Sequence, residues 1–355
     1  MRSSVIIVLY NGLKYLEALF AALSPQLTSA DELILVDNAS QDGSVDWVKQ
    51  HLPHHKLVKN PKNLGFALAC NQGARLASGE YLVFLNQDTQ PLPGWLEGLL
   101  ESFKEDTCVG LTTSQVLMMQ QPDLIHMCGM QIHYSGLPFG RGLMQPRDAL
   151  IQTAQVGSVS GASFAIRRSL WEDLGGFDEF LYMYSEEIDL SWRACLAGFD
   201  CLYTPASQVL HDNWSERPGY LSLYYSKRNR YILLYKYWHW RTLLLLSPGL
   251  LLADFFDLAH SLRLGSRGLK ASLSAWAWIL THFKSVLKVR KLAQTRRLRG
   301  DLTLLESCET RLLFREFRPG HKLYRLGVLV NTFLNLNASF VMSIYRKFSK
   351  VSELR

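Results

Sequence analysis

No CxxC pair occurs in this 355-residue chain, and its six cysteines lie scattered at 70, 108, 128, 195, 201 and 308. None combines with histidine at zinc-ligand spacing, so a zinc-ribbon or disulfide-stapled fold is excluded and a reduced, cytosolic chain is expected. Charge is sparse as well: 19% of residues are charged and 48% hydrophobic, which excludes a disordered chain and supports a packed core. No glycine-rich phosphate loop follows the first apolar run. Tyr10-Asn11-Gly12 stands there instead, which argues against a nucleotidyltransferase. No internal repeat, low-complexity tract or recognised nucleic-acid motif appears. The opening MRSSVIIVLYNG carries an apolar run too short for a signal peptide, so the chain is expected to stay on the cytosolic side.

What is present is uneven. Residues 1–216 hold 13 Lys+Arg and 24 Asp+Glu, a net −11, whereas residues 217–355 hold 25 and 7, a net +18. Two parts of opposite sign point to different partners for each. The basic part suits an anionic lipid surface, nucleic acid or an acidic polymer. The acidic first part does not fit a nucleic-acid binder, and none is expected as a partner.

The first part alternates short apolar runs with amphipathic stretches. Val5–Tyr10, Glu32–Val36 and Tyr81–Leu85 read as buried strands, and Lys56–Val58 as a short one. Helical spacing runs over Gly12–Leu23, Ser44–Leu52 and Phe66–Ala77. Residues 105–160 look less regular, with Gly136–Gly142 (GLPFGRG) as a loop. Gly161–Arg168 reads as a further strand and Leu190–Ala197 as a helix closed by Gly198. The alternation predicts an α/β fold with a mostly parallel sheet, whose ligands bind beyond the C-terminal strand ends.

Polar residues collect at those ends. Asp37, in VDNASQDGS, can accept from a nucleobase N–H or a ribose hydroxyl, although Asp42 and Ser44 alone could make a capping turn there. Asn38, Asn63 of NLGF and Asn71 of NQG can line a base or phosphate pocket, or simply start loops and helices. Asp88 closes Leu85-Asn86-Gln87-Asp88, where one carboxylate can hold a divalent metal completed by diphosphate oxygens and water. Further along, Glu186, Glu187 and Asp189 fall within four residues, which is costly by mutual repulsion unless a metal, cation or proton compensates. A carboxylate there can take a proton from an acceptor hydroxyl, and acids also suit a helix N-terminus. His211 follows, ahead of Asp212-Asn213-Trp214-Ser215.

The order of these signals is more specific than any one of them. VDNASQDGS, NLGFALACNQG, LNQD, SGASFAIRRSLWEDLGGFDE, YSEEIDLSWRACLAGF and then a His before a Ser resemble glycosyltransferase family 2 over residues 4–240. The nearest likeness is to its bacterial branch of rhamnosyltransferases and related cell-surface polysaccharide enzymes. The resemblance implies a GT-A, Rossmann-like catalytic domain over 1–215. It also implies a dTDP- or UDP-linked sugar donor, a divalent metal (Mg2+ or Mn2+) and inversion at the anomeric carbon. It places Asp37 at the nucleobase, Asp88 as the acid of a DxD-like motif and His211 at metal or diphosphate. Arg141 is placed near the diphosphate or acceptor. Glu187 stands where the family has the Asp of a Glu-Asp pair, the general base, and Glu186 would orient acceptor hydroxyls. Two departures mark this chain: Asn86-Gln87-Asp88 has a single acid, and the base pair reads Glu186-Glu187. A catalytically inactive relative, binding carbohydrate or acting as a scaffold at the membrane, is the rival reading.

After residue 216 glycine becomes rare, and leucine, aromatics and Lys/Arg dominate. Residues 216–355 are expected to be helical and membrane-associating, on the inner face of the cell membrane, where a glycan or polyprenyl-diphosphate-linked acceptor would fit. Leu243–Ala253 is apolar, broken by Pro248-Gly249 and too short to span a bilayer. Leu326–Tyr345 is uncharged, with a polar row at Asn331, Asn335, Ser339 and Ser343. That row favours an amphipathic helix lying at the interface or against the protein.

Overall fold

The computed structural model describes residues 3–212 and 219–353. The Asn213-Trp214-Ser215 run after His211, and the expected boundary at 215–216, lie outside the described residues. The chain forms two compact units, residues 1–130 with 140–215, and residues 131–139 with 216–355.

The first unit opens with β1 (Ser3–Leu9), α1 (Leu13–Leu23), β2 (Glu32–Asp37), α2 (Ser44–His51), β3 (Lys56–Lys59), α3 (Phe66–Leu76) and β4 (Tyr81–Leu85). These β/α repeats place β3-β2-β1-β4 side by side, all parallel, because each helix carries the chain back across one face. Then come β5 (Thr89–Pro91), α4 (Trp95–Glu105), β6 (Val109–Met118), β7 (Gln121–Met127), β8 (Met130–Ile132), β9 (Pro138–Gly140) and β10 (Ala154–Gln155). The unit closes with β11 (Ser163–Arg167), α5 (Arg168–Leu174), α6 (Glu186–Ala197) and β12 (Asp200–His211). The sheet has ten strands on the path β10-β12-β6-β11-β4-β1-β2-β3, with β5 and β7 paired off it. Strand β11 runs antiparallel between β4 and β6, so the α/β sheet is mixed on that side. Buried residues fill both of its faces. Val5, Ile7 and Leu9 of β1 point into one cluster, and Ile6 points into the other.

Two local expectations are corrected here. Residues 105–160 are not irregular, for β6 is a ten-residue strand buried throughout. Its polar centre, Thr112 to Gln115, hides the apolar signal, yet each side chain is bonded inside: Thr112 to Leu99 O, Thr113 to Ser163 O, Ser114 to Ser207, and Gln115 to Arg147 O. The GLPFGRG stretch is not wholly loop either. Pro138–Gly140 pairs with β8 around a tight turn in which Gly136 N–H donates to His133 O.

The second unit holds α7 (Tyr220–Tyr237), α8 (Trp240–Arg263), α9 (Ser266–Thr281), α10 (Phe283–Arg296), α11 (Asp301–Glu306) and α12 (Tyr324–Glu353). The hairpin of 131–139 is bound to α7, where Arg230 Nε donates to Ser135 O and Trp238 Nε1 to Tyr134 O. A further correction concerns Pro248-Gly249, which does not interrupt α8. Pro248 has no N–H for the Leu244 carbonyl, but the Ser247 hydroxyl donates to that oxygen at 2.7 Å and takes its place. At Gly249 a Cβ would stand 2.1 Å from Tyr134 Oη and 2.6 Å from Asn337 Oδ1, so only glycine admits both neighbours. The uninterrupted Trp240–Arg263, and Tyr324–Lys347 of α12, are each long and apolar enough to cross a membrane by length and composition.

Candidate active site

Three loops meet at the C-terminal ends of β1, β2 and β4. After β2, Asp37 is buried and its carboxylate accepts from Ser40 N–H at 3.2 and 3.3 Å. Asp42 accepts from Leu13 N–H and from the N–H and hydroxyl of Ser44. The capping turn of Asp42 and the Asp37 carboxylate, which holds Ser40 N–H, therefore exist together, on separate residues. Asn11 ties the first loop to the second, with its Oδ1 accepting from Gln41 N–H at 2.8 Å. Gln87 ties the first to the third: its amide accepts from Tyr10 N–H and donates to Tyr10 O, both at 2.9 Å. Only an amide can do both, which explains glutamine at the middle of Asn86-Gln87-Asp88. Its amide fills the space beside Gly12, where a Cβ would lie 2.1 Å from Gln87 Oε1.

The asparagines turn out to brace these loops. Asn38 donates to Asn63 Oδ1 and Gly65 O, and accepts from Leu64 N–H and Asn60 Nδ2. Asn63 Oδ1 also accepts from Gly65 N–H. Asn71 exchanges two hydrogen bonds with the Phe177 backbone and donates to Glu179. The amides expected to face a nucleotide are spent on holding the pocket walls.

Asp88 leads into β5, which pairs with β12 so that Thr89 faces His211. His211 Nε2 stands 3.3 Å from Asp88 Oδ1. Burial alone would raise the Asp88 carboxyl, but the His211 ring outweighs it and holds the group below its usual value. His211 is 4% exposed, and neither ring nitrogen has a well-formed hydrogen bond. A buried imidazole with open nitrogens beside a carboxylate is a donor set that fits a hard or borderline divalent cation. Among the described residues no group of three His, Cys, Asp or Glu gathers, so two protein ligands would leave the remaining positions to phosphate oxygens and water. Sequence reasoning passed over the surroundings. His126 of β7 has its ring 5.5 Å from His211 and is lowered to about 4, first by burial. Asp212 accepts from Tyr15 Oη at 2.6 Å and lies 3.9 Å from Lys14 Nζ. The signal for Asp212 was its place directly after His211. His126 lay in a stretch not read as a strand.

The acidic triplet is resolved by three different environments. Helix α6 starts at Glu186, earlier than the expected Leu190, so all three acids sit in its first turn. Asp189 is fully buried and paired with Arg193 at 2.7 Å, one turn along. Glu186 is buried with Oε2 unpartnered, and burial first, then the charges of Glu187 and Asp189, push it well above its usual value. Its surroundings thus favour the neutral form. Glu187 is partly exposed, and burial raises it to about 7. A Cβ placed on Gly161 would lie 3.9 Å from the Glu187 carboxyl carbon. Ala162 O accepts from Asn86 N–H, which puts Gly161 beside the end of β4, the strand that leads to Asp88. Backbone strain collects around this point. Tyr182, Tyr184 and Ser185 before α6, and Asn11 and Ala39 after β1 and β2, all have φ between 49° and 70°. Non-glycine residues held there cost roughly 1–3 kcal/mol each and cluster where a structure over-determines a site. Arg141 stands elsewhere, its guanidinium over the Tyr203 ring at 5.2 Å and its Nη1 buried without a hydrogen bond.

Residues 4–175 match the family model for glycosyl transferase family 2. They form a family 2 glycosyltransferase domain. The chain is 28% identical over 229 residues to the N-acetylglucosaminyl-diphospho-decaprenol L-rhamnosyltransferase of Mycobacterium tuberculosis, a match covering 58% of this chain and 75% of that one. It is 30% identical over 183 residues to the pre-mycofactocin glycosyltransferase of the same organism, covering 51% of this chain but only 37% of that one. Among solved structures, GalNAc-T7 with UDP, GalNAc and Mn2+ superimposes with a TM-score of 0.57 at 18% identity, over 70% of this chain and 51% of that one. That likeness is one of fold, the mixed GT-A sheet.

Proposed function

We propose that this glycosyltransferase moves a sugar, with inversion, from a nucleoside diphosphate sugar to a hydroxyl of a glycan acceptor. The observation that carries the reading is the Glu186-Glu187 pair. Burial pushes one carboxyl well above its usual value, and the other is raised to about 7, beside the end of β4. A base with that value is ionised in good part at neutral pH and still takes a proton readily. Glu187 removes the acceptor proton as the hydroxyl oxygen bonds to the anomeric carbon and the bond to the diphosphate oxygen breaks on the opposite face. Asp37 meets the nucleobase or ribose, and the braced loops at Asn38, Asn63 and Asn71 shape the walls. Asp88 and His211 would hold Mg2+ or Mn2+. That cation, when bound, supplies charge stabilisation for the departing diphosphate.

The mycobacterial rhamnosyltransferase, by its name, suggests L-rhamnose as the sugar and a polyprenyl-diphosphate-linked glycan as acceptor; a dTDP- or UDP-linked donor is what the family resemblance implies. The +18 charge of residues 217–355 supports a place on the cytosolic, anionic face of the membrane. A donor screen over dTDP-rhamnose, UDP-hexoses and UDP-galactofuranose, reading released nucleoside diphosphate, tests the reaction. One donor should be consumed in an acceptor-dependent way, and excess chelator should stop it. Full activity of Glu187→Gln would sink the base assignment, and full activity in chelator would remove the metal.

A further inference from the structure

In the helical unit α8 and α12 carry an outward apolar stripe in addition to the apolar residues they bury, such as Leu246 and Ala253 of α8 and Leu334 and Val341 of α12. Leu244, Leu251, Phe255 and Leu262 of α8 are 54 to 74% exposed. Their spacing of i, i+7, i+11 and i+18 keeps them within about 20° of one line along the helix. Leu329, Phe333, Leu336 and Phe340 of α12 are 45 to 69% exposed and form the same kind of stripe. Polar groups of both helices are meanwhile used inside the unit. Asn331 bonds the backbone N–H and C=O of Leu312, and Asn337 donates to Leu245 O. Asp254 and Asp257 of α8 pair with Arg230 and Lys227 of α7 at 2.7 and 2.5 Å.

Leucine and phenylalanine outward with amides and ion pairs inward is unfavourable in water and favourable against hydrocarbon. The ends of both helices carry what an interface takes: Trp240-Arg241 and Arg263 on α8, Tyr324-Arg325 and Arg346-Lys347 on α12. Although each helix is long enough to span, α8 is pinned by buried ion pairs to α7, whose Lys227, Arg228, Asn229, Arg230 and Lys236 are buried in protein. Crossing the bilayer would draw those charges into hydrocarbon, at several kcal/mol each.

We propose that the outward stripes of α8 and α12 are a membrane-embedding surface, lying in the plane of one leaflet with their Leu and Phe side chains among the acyl chains. The idea rests on the membrane attachment put forward above but replaces charge attraction with apolar insertion as its main term, so the two part company in salt. The test uses the full chain with vesicles of phosphatidylcholine alone and of phosphatidylcholine with phosphatidylglycerol, floated in low and in high salt. The wild type should stay bound in high salt, where surface electrostatics is screened. The exposed-site variants L251E/F255E and L336E/F340E should each lower partitioning by about tenfold or more, from the apolar burial lost per side chain. Their melting without lipid and their transfer to a water-soluble acceptor should match the wild type. Wild type released entirely by high salt would overturn apolar insertion and leave electrostatic attachment standing. Variants that float like the wild type would overturn it as well. So would a lipid-free dimer that the same substitutions dissociate, since a second copy would then cover the stripes. Loss of transfer in the wild type itself would count against the enzymatic reading and not against this surface.

Discussion

The two units bury charge for different ends. In the first unit, Asp189 is paired with Arg193, burial and neighbouring acids push Glu186 well above its usual value, and Glu187 is raised to about 7. In the helical unit, Arg230 and Lys227 are paired with Asp254 and Asp257. Apolar residues differ as well. Those of the sheet fill two clusters on its faces, whereas α8 and α12 keep complete stripes of Leu and Phe outside. The first pattern leaves one reactive carboxyl in a rigid frame. The second sets buried ion pairs within an apolar interior and leaves further apolar stripes outside. A buried acid is thus a sign of chemistry when its neighbours are also acids and its backbone is strained, and a sign of packing when each charge has its partner.

The comparison can be broken at several points. Glu187→Gln should lower turnover by about a thousandfold, the usual worth of a positioned base, while leaving the melting temperature at or above that of the wild type. Steady-state kinetics beside a thermal melt reads both. Next comes the structural counterpart: Arg230→Met would remove the buried half of the pair with the part-exposed Asp254, which keeps Tyr231 Oη, and should cost about 1–2 kcal/mol of stability by urea unfolding, with the donor Michaelis constant unchanged. Substitution at Gly12 should fall between the two in kind. Gly12→Ala drives a Cβ into Gln87 and should cost about 2 kcal/mol and reduce activity together, because the same contact joins the loops of β1 and β4. The smallest effect is graded. Since the Glu187 carboxyl is raised to about 7, kcat/KM should rise about tenfold per pH unit below that value and level off above it. Stability should move the other way. The folded state holds its proton on Glu187 at a pH where the unfolded chain has lost it, so this residue's contribution falls as pH rises from the ordinary glutamate range through 7. A flat rate profile from pH 6 to 8 would erase the distinction drawn between Glu187 and the paired acids.

Much of the catalytic frame could be read from residues alone. The β-branched run of Val5–Tyr10 and the helical spacing of Leu13 to Leu23 lie within a residue or two of β1 and α1, and Tyr81–Leu85 coincides with β4. Apolar period and strand ends are local properties, and they placed Asp37 and Asp88 correctly at the mouths of strands. The Asp189–Arg193 pair was also available as an i, i+4 spacing. Other features were not legible. Polar residues at the centre of β6 masked a buried strand because their partners lie 13 to 93 residues away along the chain. Pro248 reads as a helix stop until a neighbouring hydroxyl is seen to serve the freed carbonyl.

By itself, then, the sequence determined the α/β class, the family 2 domain, the order of its acids and the split between an acidic body and a basic helical remainder. These follow from periodicity, strand-end chemistry and composition, which need no knowledge of distant contacts. Only the tertiary structure decided that Asn38, Asn63 and Asn71 brace loops, that Gln87 locks Gly12, and that the stripes of α8 and α12 face outward. It alone separated Glu186, Glu187 and Asp189. The physical reason is the same in each case. Three neighbouring carboxyls are chemically alike in the chain, and they come to differ, one pushed well above its usual value, one raised to about 7 and one half of an ion pair, only through what folding brings beside each one.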